Sequence, residues 1–487
     1  MAALNDVRAR TTLAKLTYGY TPTDVASLKA LGLEEWLKDQ LSPRKLETSE
    51  YLQDISMFRS QTMSLPQIYQ DRFFKGKPSL LSNELAHLTL IRRLYSSRQV
   101  FEMLVEHFSD YVPVPLLAKK SLVRVDYDNT VIRANALGYF PNLLAAATYH
   151  PAMLDYLNGD TNTAQHPNEN YGREFLELFT LTPSAGYTED DVKGASKMFS
   201  GIVWDVATDQ HHVRLSQHYF GPISVFGYTD KNKRTESEAA VKIRIKRFIN
   251  HIALRPETAK AFSIRMARRF VADVAPNSLI KKMSAEYLRT KGHIPSVFKV
   301  MALSTEFAAA KPTKVKRPME HLASTVRALN VPLANPVPQP NLEVVKDYAK
   351  GSPMPPVLAA LTTQGHAPFD WPFPNGYPDV GELWTTLSSQ VQRWNLSGKI
   401  AQGKMAVAFA DPNFTSILSP TSASATELVT DLAMHFYGAD LPAAEKTKVL
   451  AIINQSVRNN ADQAKYIANV AATASALLLS KPDWNLR

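Results

Sequence analysis

One stretch constrains this chain more than any other: Asn168–Thr182, Asn-Glu-Asn-Tyr-Gly-Arg-Glu-Phe-Leu-Glu-Leu-Phe-Thr-Leu-Thr. Pro167 disfavours helix for the residue before it and suits a first helical turn. Asn168 is therefore a candidate N-cap, or Pro167 is the first helical residue with His166 as cap. At about 100° per residue, Glu169, Asn170, Arg173, Glu174, Glu177 and Thr180 share one arc. Tyr171, Phe175, Leu176, Leu178 and Phe179 share the other. Glu169, Arg173 and Glu177 are successive i,i+4 neighbours, so Arg173 can bridge two carboxylates. A salt-bridged solvent face is the ordinary explanation of such a pattern. Apolar flanks, and two amides around Glu169, favour a site instead.

The rest of the chain is punctuated as helices. Leu4–Leu41 reads as two, divided near Thr21-Pro22. Lys45–Lys77 is polar and irregular, the composition of a surface excursion. Leu80–Val112 has apolar residues at helical spacing. Gly138 and Pro141 mark a break between helices, and His150-Pro151 marks a new start. In Gly186–Ser200, Thr188 is an N-cap, and Glu189, Asp190 and Asp191 are explained by the helix dipole. Ile202–Val206 and Val213–Ser216 predict a small hairpin. Helices resume over Ser237–Phe307 and again from Gln390 to the end. The expected architecture is mainly α: one large multi-helix body spanning 1–487, a small β insertion near 201–228 and a proline-rich crossing near 330–341.

The central stretch, followed by Gly186-Tyr187-Thr188-Glu189-Asp190-Asp191-Val192, resembles the signature of DUF1800, a bacterial family of unestablished function. The resemblance extends to Leu31–Pro43, Ile132–Leu144, His150–Leu157, His218–Tyr228, Arg255–Asp273 and Lys316–Glu320. It reaches a second signature, Gln364–Pro372 with Asn375–Asp379 and Trp384. At Glu106–Pro113 the family usually carries a Trp, His, Asn and His cluster. This chain keeps His107 and Asp110 but has Ser109 and Tyr111. The resemblance implies a family and suggests exported settings; it imports no reaction.

Function classes are narrowed by what the sequence lacks. No Walker loop, dinucleotide fingerprint, His-Glu-x-x-His or Gly-x-Ser-x-Gly occurs. With no cysteine, disulfides and thiolate ligands are excluded. No apolar run reaches the ~18 residues of a membrane span. The protein is read as soluble, cytoplasmic as written or exported if a leader has been removed. A net charge of +10 favours anionic partners, and no nucleic-acid motif is present. The densest basic run, Lys231–Arg269, is expected to be a solvated helix face.

Clustered acids and a separate aromatic loop point to a hydrolase or lyase acting on a polymer, an anionic or neutral glycan. Glu169, Glu174 and Glu177 would be its acid/base groups, oriented by Arg173. Glu169 is expected to stay ionised, while apolar surroundings would raise Glu174 or Glu177. Asn168, Asn170, His150, Trp371, Asn375, Tyr377 and Trp384 would bind substrate. The aromatic loop could wall a pocket or plug two helices together. The alternative function is a non-catalytic binding or assembly protein whose Asn-Glu-Asn helix is a buried polar network. A third reading is a metal-dependent enzyme. No cofactor is required by the sequence; a divalent metal stays open, with His107 and Asp110 as candidates and His211, His212 and His218 as a weaker set.

Overall fold

In a computed structural model, the structure describes residues 5–487 apart from 54, 56–57, 72–77, 117–122, 206–207, 236, 335–354, 406–407 and 458–461. The fold is mainly α, with two small antiparallel hairpins. Helices Asp6–Leu16 and Pro22–Gln40 are divided where expected, and Thr21 closes a capping box with Asp24. Leu80–Val112 becomes two helices, Pro78–Tyr95 and Gln99–Tyr111. The second is buried on almost every face, so it runs through the core. The Lys45–Lys77 excursion is tied down by Phe58, Leu65 and Ile68, all buried; its last residues, 72–77, lie outside the described ones.

The central helix spans Glu169–Glu177, with Asn168 as its N-cap. Tyr171, Phe175 and Leu176 are buried, as their arc requires. Thr180 departs from its expected arc. The helix has ended by then, and Thr180 is buried with its hydroxyl donating to the Phe175 carbonyl at 2.6 Å. The central helix packs on Glu189–Met198, capped by Thr188. Gly172 permits the contact: a Cβ there would lie 2.9 Å from Ser196 N and 3.1 Å from Val192 O. Phe175, Phe199 and Phe248 then interlock, with successive centroids 5.1 and 5.4 Å apart.

Strands β1 (Ile202–Asp205) and β2 (Gln210–Val213) form the expected hairpin. A second, unexpected hairpin joins β3 (Ile223–Val225) to β4 (Tyr228–Asp230). Its two-residue turn, Phe226-Gly227, has φ of 45° and 80°, the left-handed pair that matches strand twist. The start of the proline-rich crossing is not free: Leu333 is buried and bridges to Phe409. The rest of that crossing, 335–341, lies outside the described residues. Among the described residues no helix is long and apolar enough to cross a membrane.

The Gly172 contact yields a stability prediction. Gly172→Ala gains helix propensity of about 1 kcal/mol, but it drives a methyl into backbone, and overpacking costs about 1–3 kcal/mol. The expected result is net destabilisation in urea melts.

Candidate functional site

The site begins with a charge problem in the core. Arg269 lies on the apolar stripe of helix Pro256–Phe270 and is fully buried. Its guanidinium pairs with Glu320 at 2.6 Å and with Glu106. Glu106 also takes Arg93 at 2.9 Å, and Glu320 takes Arg487 at 3.0 Å. Arg317 extends the cluster, reaching Asp110 at 2.6 Å and Asp379 at 3.1 Å. Lys314 reaches Asp379 at 3.3 Å. Burial alone would raise the Glu320 carboxyl, but Arg269 and Arg487 hold it down at about 2. Asp379 is likewise held well below the usual range by Arg317 and Lys314 against burial. The expected solvated face of Lys231–Arg269 is therefore overturned at its end, where Arg269 sits in the interior.

Above this core lies a cleft of about 670 Å³. One wall is helix Pro256–Phe270, which presents Glu257, Lys260, Ile264, Arg265 and Arg268 at helical spacing. The other walls carry His107 and Asp110, the end of the central helix at Glu177, and the loop residues Trp371, Asn375 and Tyr377. The loop is both wall and plug. Gly376 sits so close to Asp110 that a Cβ would meet its carbonyl oxygen at 2.0 Å. Tyr377 and Trp384 are buried around His366, at centroid distances of 4.6 and 5.1 Å. Trp371 stays partly exposed, its indole N–H satisfied by Asn375 at 2.9 Å.

The cleft's titratable groups differ in environment. Burial, with repulsion from Glu106, pushes the Asp110 carboxyl up despite its Arg317 partner. His107 is buried, and burial plus the Arg265 charge push it down to about 3, so it is neutral. Its Nε2 has no hydrogen-bond partner among the described residues. Glu177 accepts a hydrogen bond from the Tyr187 hydroxyl at 2.7 Å. Arg265 lies 3.6 Å from the centroid of the Tyr111 ring and donates to the carbonyls of Leu178 at 2.8 Å and Asp110 at 3.3 Å.

The structure divides the expected site residues. Glu177, Trp371, Asn375, Tyr377, His107 and Asp110 share the cleft; Trp384 stands behind it. Glu169 and Arg173 do not line it. Arg173 bridges two carboxylates, but the second is Glu189, at 2.6 Å, rather than Glu177; Glu169 is 3.4 Å away. This is a partly solvated helix face, so the Asn-Glu-Asn segment is not a buried network. Asn168 and Asn170 instead serve local backbone: their amides donate to the carbonyls of Asn158 and Leu157. Glu174 also lies outside the lining, and burial and then Glu177 raise it.

His150 lines a different cavity, of about 590 Å³, between helix Phe140–Tyr149, the first hairpin and helix Glu238–Ala253. Its Nδ1 accepts from Ala152 N and its Nε2 faces Asp126 at 2.8 Å. The three histidines of the weaker metal set separate: His211 stacks on Tyr149, His212 faces Glu238 and His218, beyond the hairpin, faces the Ser200 carbonyl. Among the described residues no three His, Asp or Glu side chains converge as a metal-ligand set.

Sequence reasoning missed Arg265, Arg268 and Arg317 as cleft-forming residues, and Tyr187 as the donor to Glu177. It also missed Glu106, Arg269 and Glu320 beneath them. A signal existed: Glu106 and Arg269 occupy positions that an apolar helix stripe would otherwise fill, and buried charges require partners.

The family assignment rests on the same segments. The model of the family described as "Protein of unknown function (DUF1800)" matches residues 11–486. The chain belongs to the DUF1800 family. No curated protein and no solved structure matches it. In this DUF1800 protein, both family signatures meet at one cleft: the central helix ends at it with Glu177, and the Gln364–Trp384 loop walls it.

The buried charges predict acid sensitivity. The unfolded chain protonates histidine near 6.5, whereas folded His107 and His366 resist until about 3. Stability therefore falls as pH drops through that interval. Glu320, held at about 2 against an ordinary 4.5, gives stability that is complete above 4.5 and lost toward 2. Melting temperature should decline from pH 6.5 downward, and His107→Asn should make the decline between 6.5 and 3 shallower, with His366 still contributing. At pH 7, Glu320→Gln should cost about 3–5 kcal/mol, because it leaves buried guanidiniums unpaired.

Proposed function

We propose that this DUF1800 protein is a hydrolase or lyase acting on a glycan polymer, with the cleft as its active site. The observation that carries the reading is the meeting of Asp110 and Glu177 in one cleft walled by Trp371 and Tyr377. Two carboxyl groups in unlike environments are what general acid/base chemistry needs. Asp110, raised by burial, is suited to give a proton. Glu177, at a helix end and bonded among the described residues by a tyrosine hydroxyl alone, is suited to take one. Trp371 is partly exposed at the cleft, its N–H held by Asn375 and its ring beside Phe373 and Tyr377, and an indole so placed suits a sugar ring.

A second reading is a non-catalytic glycan-binding protein using the same cleft. The Asp110–Arg317 contact at 2.6 Å favours it, since a carboxylate held on a guanidinium gives up no proton.

Turnover separates the two. On a glycan that the protein cleaves, Asp110→Asn and Glu177→Gln should each lower kcat by about 10²–10⁴-fold. Trp371→Ala should chiefly raise KM. Glu169→Gln, outside the cleft, should leave both constants unchanged. Loss of turnover with Glu169→Gln but not with Glu177→Gln would overturn the assignment. Cleft variants that weaken binding, in a protein with no turnover of any glycan, would establish the second reading.

A further inference from the structure

The cleft's ion pairing is unequal, and the inequality identifies the ligand. Its carboxylates are largely spoken for: Asp110 and Asp379 bind Arg317, and Glu257 binds Arg255 at 3.3 Å. Lys260, Arg265 and Arg268 line the same cleft, yet none has a carboxylate within ion-pairing distance among the described residues. Arg265 is held by two backbone carbonyls and the Tyr111 ring face, with Asp110 and Asp379 acting on it from beyond ion-pairing distance, and Arg268 by the Asp273 carbonyl. Neutral acceptors fix a guanidinium in place without cancelling its charge. Three cations so arranged, two of them partly buried, attract anions into the cleft.

Their order on the helix matters as well. Arg265 and Arg268 are three residues apart and Lys260 five further back, so at 1.5 Å per residue they span about 12 Å along the wall. One small anion cannot engage all three; an extended chain carrying repeated charges can. Glu177 then separates the classes of polyanion. Its carboxylate, bonded by the Tyr187 hydroxyl and ion-paired to no cation among the described residues, repels a phosphate chain, which at neutral pH offers it no donor. It accepts hydrogen bonds from the hydroxyls of a sugar. Trp371 adds a partly exposed aromatic ring on the same cleft.

We infer that the ligand of the cleft is an acidic polysaccharide. Its carboxylates lie along Lys260, Arg265 and Arg268, its hydroxyls donate to Glu177, and a ring rests on Trp371. The inference rests on the glycan reading above and narrows it. It makes the helix Pro256–Phe270 the specificity wall and leaves the acid/base roles to the opposite side.

Calorimetric titration of the full chain tests this at low and moderate salt. The probes are oligosaccharides of polygalacturonate, alginate, hyaluronan and chondroitin, a carboxyl-reduced counterpart of each, and inorganic polyphosphate. At least one acidic oligosaccharide should bind, at least about tenfold more tightly than its carboxyl-reduced form, with affinity that falls as salt rises. Arg265→Gln and Arg268→Gln should each weaken it about tenfold or more, and Lys260→Gln less, because Lys260 is exposed. Thermal melts accompany each variant; Arg268→Gln alone decides the matter if Arg265→Gln fails to fold. Lys242→Gln, which alters the other cavity, should change nothing. Equal binding of acidic and carboxyl-reduced forms overturns this inference and leaves the glycan reading standing. Binding of polyphosphate with no binding of any oligosaccharide overturns both, as does binding of none of the probes.

Discussion

Arg269 is the interaction on which the rest depends. A guanidinium with no solvent exposure is tolerated only if carboxylates close around it, because an uncompensated buried charge costs several kcal/mol. Glu106 and Glu320 do so, and Asp379 approaches from the cleft side at 3.7 Å. These partners come from three separate parts of the chain: helix Gln99–Tyr111, helix Pro318–Ala328 and the loop before Trp384. Arg93, Arg317 and Arg487 complete the neutralisation from three more positions. A network of this kind adds little net stability over a well-packed apolar core. It does penalise every arrangement in which one member is missing, and so it fixes how these segments meet.

The cleft inherits its geometry from that network. Arg317 is shared between Asp110 and Asp379, so the helix carrying His107 and the aromatic loop are held on one guanidinium. Gly376 lets the loop approach the Asp110 backbone, and Tyr377 closes over His366. Glu177 arrives from the other side, at the end of a helix whose position is set by Gly172 and the phenylalanine cluster. The polar groups that face solvent are thus mounted on elements locked from behind. That arrangement suits chemistry or recognition that needs fixed side chains.

The legible part of the site was its residue types and motifs. Amphipathic spacing located the central helix, and capping chemistry located its neighbour at Thr188. Trp371, Asn375 and Tyr377 could be singled out because glycine, proline and aromatics at that density build a rigid loop. The partner of each charge was not legible. Helical spacing offered Glu177 to Arg173, but Glu189, sixteen residues on, takes the guanidinium because the two helices cross there. His150 looked like part of the same site, yet it serves as a cap facing Asp126 in another cavity. Asp110 could be noticed but not weighed, since its raised carboxyl comes from burial and from Glu106 one turn away.

The sequence by itself determined the family, the mainly helical class and the places where helices begin and end. Those properties follow from local forces: caps, proline geometry and the periodicity of apolar residues. Only the tertiary structure decided which acids are ion-paired and which are not, and why Arg269 is core while Arg265 and Arg268 face a cleft. Charges meet through space, across segments hundreds of residues apart, and their protonation depends on how much water the packing leaves around them. No spacing along one chain encodes that.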